Sequence, residues 1–313
     1  MDNEKGTMKK EHIMKAILVI TAALLAINAA ASEYAAYLAA YMTHDDEKHL
    51  YYAIAEGDFN FRVINNAKPV LSASFDDRLI RDPHIIRDGD AFHLVATVSW
   101  TNRPFTVWDS SDLVHWKNER LVDVAPQGAT KTWAPELAYD DARNRYIVYW
   151  TGEISNKWST ASIYYAVTKD FKEFSAPEVL YKDTKGILDA NIIKVGGEYN
   201  LLFRKENKVW IVSSKDICGP YSNCRLLTAD NVERPYAFTL NDASGYGVVW
   251  DYYIAGRGFG LMVSEDFKTW TRITNETPPY YNKNVSFPQG IRHGVILGIT
   301  AKELERLKQA FPD

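Results

Sequence analysis

Five side chains capable of acid–base work recur at related places along this sequence: Asp82, Glu136, Asp189, Glu233 and His293. Each stands just before an apolar run, and they follow aspartate-bearing boxes by 24, 24, 19, 17 and 27 residues respectively. A single buried carboxylate is ordinarily a paired structural residue, because an unpaired charge is costly to bury. Four carboxylates and a histidine brought to one place by a repeat need another reason, and acid–base chemistry supplies it. Cleaving a glycosidic bond takes one proton donor and one base or nucleophile on opposite sides of the bond. A third acid can tune the donor.

Bringing them together is the task of the repeat. Its box is an apolar strand, then small or polar residues, then an Asp, as in Ile163-Tyr164-Tyr165-Ala166-Val167-Thr168-Lys169-Asp170. The copies end at Asp58, Asp112, Asp170, Asp216 and Asp266, spaced by 54, 58, 46 and 50 residues. Five copies cannot all be catalytic, so these aspartates are expected to make turn hydrogen bonds. The recurring Trp116, Phe174 and Trp270 are expected to pack between repeats. Turn residues such as Arg87-Asp88-Gly89-Asp90 and Gly196-Gly197 separate further β-rich runs. About 50 residues per unit of four short strands is the arithmetic of a propeller blade. The expected fold is therefore all-β, a five-bladed β-propeller. Residues 34–43 read as a second strand with no inner strand before it, and 292–300 can supply the missing one. That closes the terminal blade with strands from both chain ends and leaves no bare sheet edge there. Residues 302–310 read as a surface helix.

Composition sets the outer bounds. The chain has 313 residues, 46% hydrophobic and 13% aromatic, which is enough to build a core and excludes disorder. A net charge of −4 gives no footprint for nucleic acid. Lys9, Lys10 and Lys15 precede an apolar run from 16 to 27 and the small residues Ala29, Ala30 and Ala31. This order describes a signal peptide over 1–31, with the propeller over 33–310. The run is too short for a comfortable membrane span, so the mature chain is expected to be secreted or periplasmic without an integral span. Cys218 and Cys224, the two cysteines, could form a short disulfide after export or remain free thiols.

The segments Arg81-Asp82-Pro83-His84-Ile85, Trp133-Ala134-Pro135-Glu136, Leu188-Asp189-Ala190, Val232-Glu233-Arg234-Pro235 and Arg292-His293-Gly294 together resemble glycoside hydrolase family 43. The resemblance covers about residues 33–310. It implies an inverting propeller enzyme acting on arabinose-, xylose- or galactose-containing polysaccharides. On matching positions it implies Asp82 as general base, Glu233 as general acid, and Asp189 as the acid that orients the donor and adjusts its pKa. His293 matches a channel histidine, which allows calcium there without requiring any cofactor. Arg234 stands where a glycine is common, and could either favour ionised Glu233 or reach a substrate hydroxyl. Trp133 and Trp100 could stack on a sugar or pack between blades. Arg204 and Lys205 end a second strand where hydroxyls could be met, and Glu136 could bind hydroxyls or hold a neighbour. Two alternatives stand beside this reading. One is a retaining, invertase-like furanoside hydrolase, which lacks its Asn-Asp-Pro-Asn-like start here. The other is a carbohydrate-binding propeller without catalysis.

Overall fold

The computed structural model describes residues 33–312 apart from 75–77, 229–230 and 254–257. The expected signal peptide over 1–31 lies outside the described residues. Tyr34–Asp313 forms one compact unit. Within it, five antiparallel sheets of four or five strands are arranged as a five-bladed β-propeller. Blade I runs outward from Arg81–Asp88 through Ala91–Thr97 and Phe105–Ser110 to Lys117–Val122. Blade II has Ala129–Asp140, Arg145–Ile154, Ser162–Thr168 and Glu178–Tyr181. Blade III has Leu188–Val195, Glu198–Lys205, Lys208–Ser214 and Ser222–Thr228. Blade IV has Glu233–Thr239, Tyr246–Asp251, Phe259–Ser264 and Thr271–Arg272.

Blade V is built as the sequence expects. Ile291–Ile299, from the C-terminal end, is the inner strand and pairs antiparallel with Ala36–Thr43, which pairs with His49–Ala55. The near-continuous burial of Ala36–Thr43 follows from its place between two strands and two flanking blades. The helix Ala301–Ala310 then locks the closure. Thr300 and Glu303 form a reciprocal capping box, and Glu303 also accepts from Arg87 of blade I at 2.9 Å.

The box aspartates do what five equivalent copies suggest. Asp112, Asp170 and Asp266 each accept from two backbone N–H groups two and three residues on, at 2.7–3.0 Å. Asp58 and Asp216 accept one such bond each, at 2.9 Å. The residue after the box Asp (Leu113, Phe171, Ile217 and Phe267) is buried, so each turn pins an apolar anchor between blades. Trp116, Phe174 and Trp270 pack against the same cores. Cys218 and Cys224 are unbridged thiols.

The closing seam is tight where the inner strand meets Ala36–Thr43. A Cβ on Gly294 would lie 2.4 Å from the Ala40 carbonyl oxygen. Backbone cannot yield as a flexible side chain does. Gly294→Ala is therefore expected to lower unfolding stability by about 1–3 kcal/mol in denaturant titration.

Candidate active site

Each inner strand carries the same local device near its start. The pairing register slips between Arg81 and His84, Trp133 and Glu136, Leu188 and Asn191, and Glu233 and Tyr236, and the blade II strand slips a second time, ahead of its bulge, between Ala129 and Lys131. In blade V the slip falls opposite Tyr41 and Met42. At each bulge one non-glycine residue takes a positive φ: Asp82 (52°), Ala134 (48°), Asp189 (55°), Arg234 (49°) and His293 (33°). Such backbone costs on the order of 1–3 kcal/mol per residue and clusters where function needs it. The bulge re-aims side chains that regular alternation would send elsewhere.

This geometry corrects the expectation that the four acids and the histidine occupy equivalent positions. Asp82, Asp189 and His293 do sit at the bulge itself. Glu233 stands one residue before it, level with Arg81, Trp133, Leu188 and Arg292. Glu136 stands two residues after it, level with His84, Asn191 and Tyr236. The difference decides which way each side chain goes.

Asp82, Asp189, Glu233 and His293 converge, and all four are buried. His293 is the link. In its imidazolium form Nδ1–H donates to Asp82 Oδ1 and Nε2–H donates to Glu233 Oε1 at 3.1 Å. Burial alone would lower the pKa of His293, but Asp82 and Glu233 together push it up to about 9. Burial likewise works against an ionised Asp82, yet Arg81, His293 and Arg234 hold its carboxyl well below the usual carboxylate range. Thr97 adds a hydroxyl donor to Asp82 Oδ2 at 2.6 Å.

Glu233 and Asp189 are driven apart. Burial raises Glu233, but His293, Arg292 and Arg204 outweigh it and hold Glu233 below its ordinary value. Arg292 donates to Glu233 Oε1 at 2.6 Å, and Arg204 Nη1 lies 3.7 Å from Oε2. Burial raises Asp189, and the Glu233 and Asp82 charges add to it against His293 and Arg234. Two acids this close titrate as a pair, with Asp189 pushed up and Glu233 pushed down in the substrate-free site.

Glu136 and Arg234 lie beneath this layer. Neither can meet a substrate, which corrects their expected place among substrate-binding residues. Glu136 is fully buried and accepts from Tyr149 at 2.7 Å and Asn191 at 2.9 Å. Arg234 pairs with it at 2.5 Å, with both side chains at 1% exposure or less. Glu136 is turned down by its place two residues after the bulge, and Arg234, at the bulge itself, reaches down to pair with it. Lys205 is a further correction. As the neighbour of Arg204 in a strand it faces away, where it donates to Asp183 at 2.9 Å and lies over Trp210. Arg204 does face the funnel. Trp100 is 52% exposed, stacked by Arg81 at 3.6 Å and edge-on to Trp133. The indole N–H of Trp133 donates to the Trp100 carbonyl at 3.1 Å, so the two form one rim element.

Several members of the site were not singled out from the sequence: Arg81, Thr97, Thr151, Asp251 and Arg292. Asp251 is fully buried and receives Arg292 Nε at 2.5 Å. The missed signal is the second strand. Thr97, Thr151, Arg204 and Asp251 pair with Arg81, Trp133, Leu188 and Glu233, so one strand-end position in four repeats supplies the site's supports.

A metal ion would need ligands here. Asp189, Glu233 and His293 offer atoms all within 4.8 Å of one another. The chemistry of this set does not suit calcium. Both imidazole nitrogens face carboxylates, and Asp82, Glu136, Asp189, Glu233 and Asp251 are already met by Arg81, Arg204, Arg234, Arg292 and His293. Calcium takes six to eight oxygen ligands, and here it would meet arginines.

Residues 32–305 match the family described as "Probable glycosyl hydrolase domain", a relative of glycoside hydrolase family 43. The chain belongs to this family. An alpha-L-arabinofuranosidase of Bifidobacterium longum subsp. longum is 26% identical over 181 residues, 47% of this chain. The match spans 17% of that relative's length. Among solved structures, a thermostable family-43 glycoside hydrolase superposes with TM-score 0.52 at 19% identity, over 63% of this chain and 73% of that one. The alpha-L-arabinofuranosidase of Podospora anserina in complex with cellotriose gives 0.53 at 16% identity, over 69% and 75%. At such identities the structures establish the shared propeller. In this domain the Glu136–Arg234 pair is structural. Glu136→Ala would strand a buried guanidinium and should cost about 3–5 kcal/mol in chemical denaturation.

Proposed function

We propose that the chain is an inverting glycoside hydrolase that releases a terminal arabinofuranosyl, xylosyl or galactosyl-type unit from plant polysaccharides or oligosaccharides. The observation that carries this reading is the single imidazole between Asp82 and Glu233. Carboxylates held on opposite nitrogens of one ring are kept apart by it. That supports the roughly 6.5–9.5 Å separation that leaves room for an attacking water, over the roughly 5–5.5 Å of a retaining pair. The Bifidobacterium longum and Podospora anserina proteins named as arabinofuranosidases favour the arabinofuranosyl unit among the three.

In this reading Asp82 is the base. Its ionised form is secured by Arg81, His293 and Thr97, so it can accept a proton from water at any ordinary pH. Glu233 is the acid, and it draws on the proton held by the Asp189–Glu233 pair. A sugar entering the funnel displaces water and competes for Arg292 and Arg204. Loosening those contacts lets the proton move from Asp189 towards Glu233 and the leaving oxygen. Asp189 thus sets the donor's pKa and orients it. Positive charge in the site comes from His293 and Arg292, and no step needs a metal. Residues 1–31 are a cleaved signal in this reading, and the mature protein is secreted or periplasmic.

Asp82→Asn and Glu233→Gln should each lower turnover by orders of magnitude, because each removes half of the acid–base pair. Proton NMR in the first minutes of hydrolysis should show product of the anomeric configuration opposite to that of the cleaved bond. Early product that keeps the substrate's configuration would make Asp82 a nucleophile.

The pH profile carries a sign. Asp82 is held below the ordinary carboxylate range, so deprotonating the base should not limit the acid side at the usual carboxylate pKa. The alkaline fall reports loss of the pair's proton. Asp189→Asn removes a negative neighbour, which makes Glu233 easier to ionise. Its alkaline limb should therefore move to lower pH in a kcat/KM profile, with a smaller loss on substrates bearing a good leaving group.

A further inference from the structure

One cleft touches the funnel without belonging to the acid–base cluster. It encloses ≈ 550 Å³ on the rim of blades II and III, between Trp158, Lys185, Gly186, Leu188, Arg204 and Asn207. Two of these residues tie it to the chemistry. Leu188 directly precedes Asp189 and pairs with Arg204, whose guanidinium stands 3.7 Å from Glu233 Oε2. The cleft therefore opens on the donor's side of the funnel. The proton from Glu233 goes to the leaving oxygen, so whatever that oxygen belongs to must extend from this side.

Trp158 gives the cleft an aromatic wall. It sits in the one-turn Trp158–Thr160 segment and is 46% exposed, although a large apolar side chain gains by being covered. Its seat is rigid. A Cβ on Gly186 would lie 2.2 Å from the Trp158 carbonyl oxygen and 2.8 Å from the indole nitrogen, so only glycine permits this approach. The cleft's charges are satisfied locally. Lys185 pairs with Glu206, and Arg204 is shared by Glu233 and Asn207. No unpaired cation is left to select an acidic sugar. A held, half-bare indole with locally satisfied charges around it suits the C–H face of a neutral sugar ring.

We propose that this cleft binds the leaving-group portion of a neutral oligosaccharide, with Trp158 as the platform under a sugar beyond the scissile bond. The proposal rests on the hydrolase reading for its direction and on the cleft itself for its ligand. It makes the protein selective for chain length: a longer leaving group reaches Trp158, and a nitrophenyl group does not.

The test compares kcat/KM on 4-nitrophenyl α-L-arabinofuranoside with arabinan-derived oligosaccharides of two to five units, using the full chain. Trp158→Ala should reduce the oligosaccharide-to-aryl ratio about tenfold, and Trp158→Phe should restore most of it. An equal loss on both substrate types, or no dependence on chain length in the unaltered protein, would overturn the cleft assignment and leave the hydrolase reading standing. Calorimetric titration with arabino-, xylo- and galacto-oligosaccharides provides the arm that does not need turnover. Binding weakened about tenfold by Trp158→Ala in a protein that hydrolyses none of them would support the cleft and overturn the hydrolase reading. Equal binding by both proteins would overturn the cleft.

Discussion

Gathering carboxylates away from water is the constraint that organises this molecule. Moving even one ionised carboxylate into the interior costs several kcal/mol unless a partner and hydrogen bonds offset it. Here Asp82, Glu136, Asp189, Glu233 and Asp251 are all buried, and arginines and one histidine come with them from blades I, III, IV and V. The two layers differ in purpose. Below, Glu136 and Arg234 neutralise each other and are further held by Tyr149 and Asn191. Above, His293 is shared between two acids, so neither is fully satisfied without it. A group shared in this way can be redistributed when a polar ligand arrives, whereas a closed pair cannot.

The backbone device behind both layers is the bulge at the head of each inner strand. Regular β alternation would send neighbouring residues to opposite faces and could aim only every second side chain at the axis. A left-handed residue in each strand breaks that rule once. It delivers Asp82, Asp189 and His293 at the break, keeps Glu233 in reach one place earlier, and sends Glu136 downwards two places later. Where the broken residue carries no reacting group, as at Ala134, its N–H still serves the site by donating to the Thr97 hydroxyl at 2.8 Å.

This explains how far the sequence could be read. The repeat, the propeller and the shared terminal blade were legible because they rest on periodic apolar strands and box turns, which local chemistry imposes on each copy. The convergence of Asp82, Asp189, Glu233 and His293 was legible through the repeat and the family resemblance. The fate of Glu136, Arg234 and Lys205 was not. It turns on one residue of register, and a bulge without a glycine leaves little trace in composition. Asp251 and Arg292 were hidden for another reason. Their value comes from each other, across two blades, and the second-strand residues that support the site vary in type from Thr97 to Arg204 to Asp251.

The placement of His293 ties chemistry to closure of the ring. It lies on Ile291–Ile299, the inner strand of blade V, whose sheet partner comes from the opposite end of the chain. Four blades can form from sequence-local hairpins, but they would bring together Asp82, Asp189 and Glu233 without their shared cation. Three buried carboxylates in that state repel one another and favour protonation. Closing blade V supplies both Arg292 and His293, so the pairing of the two chain ends also relieves the charge the other blades have gathered. The electrostatics of the funnel thereby favour the closed ring. Closure of the fold and completion of the charged cluster depend on the same strand, because the histidine that bridges Asp82 and Glu233 sits on the strand that completes the ring of blades.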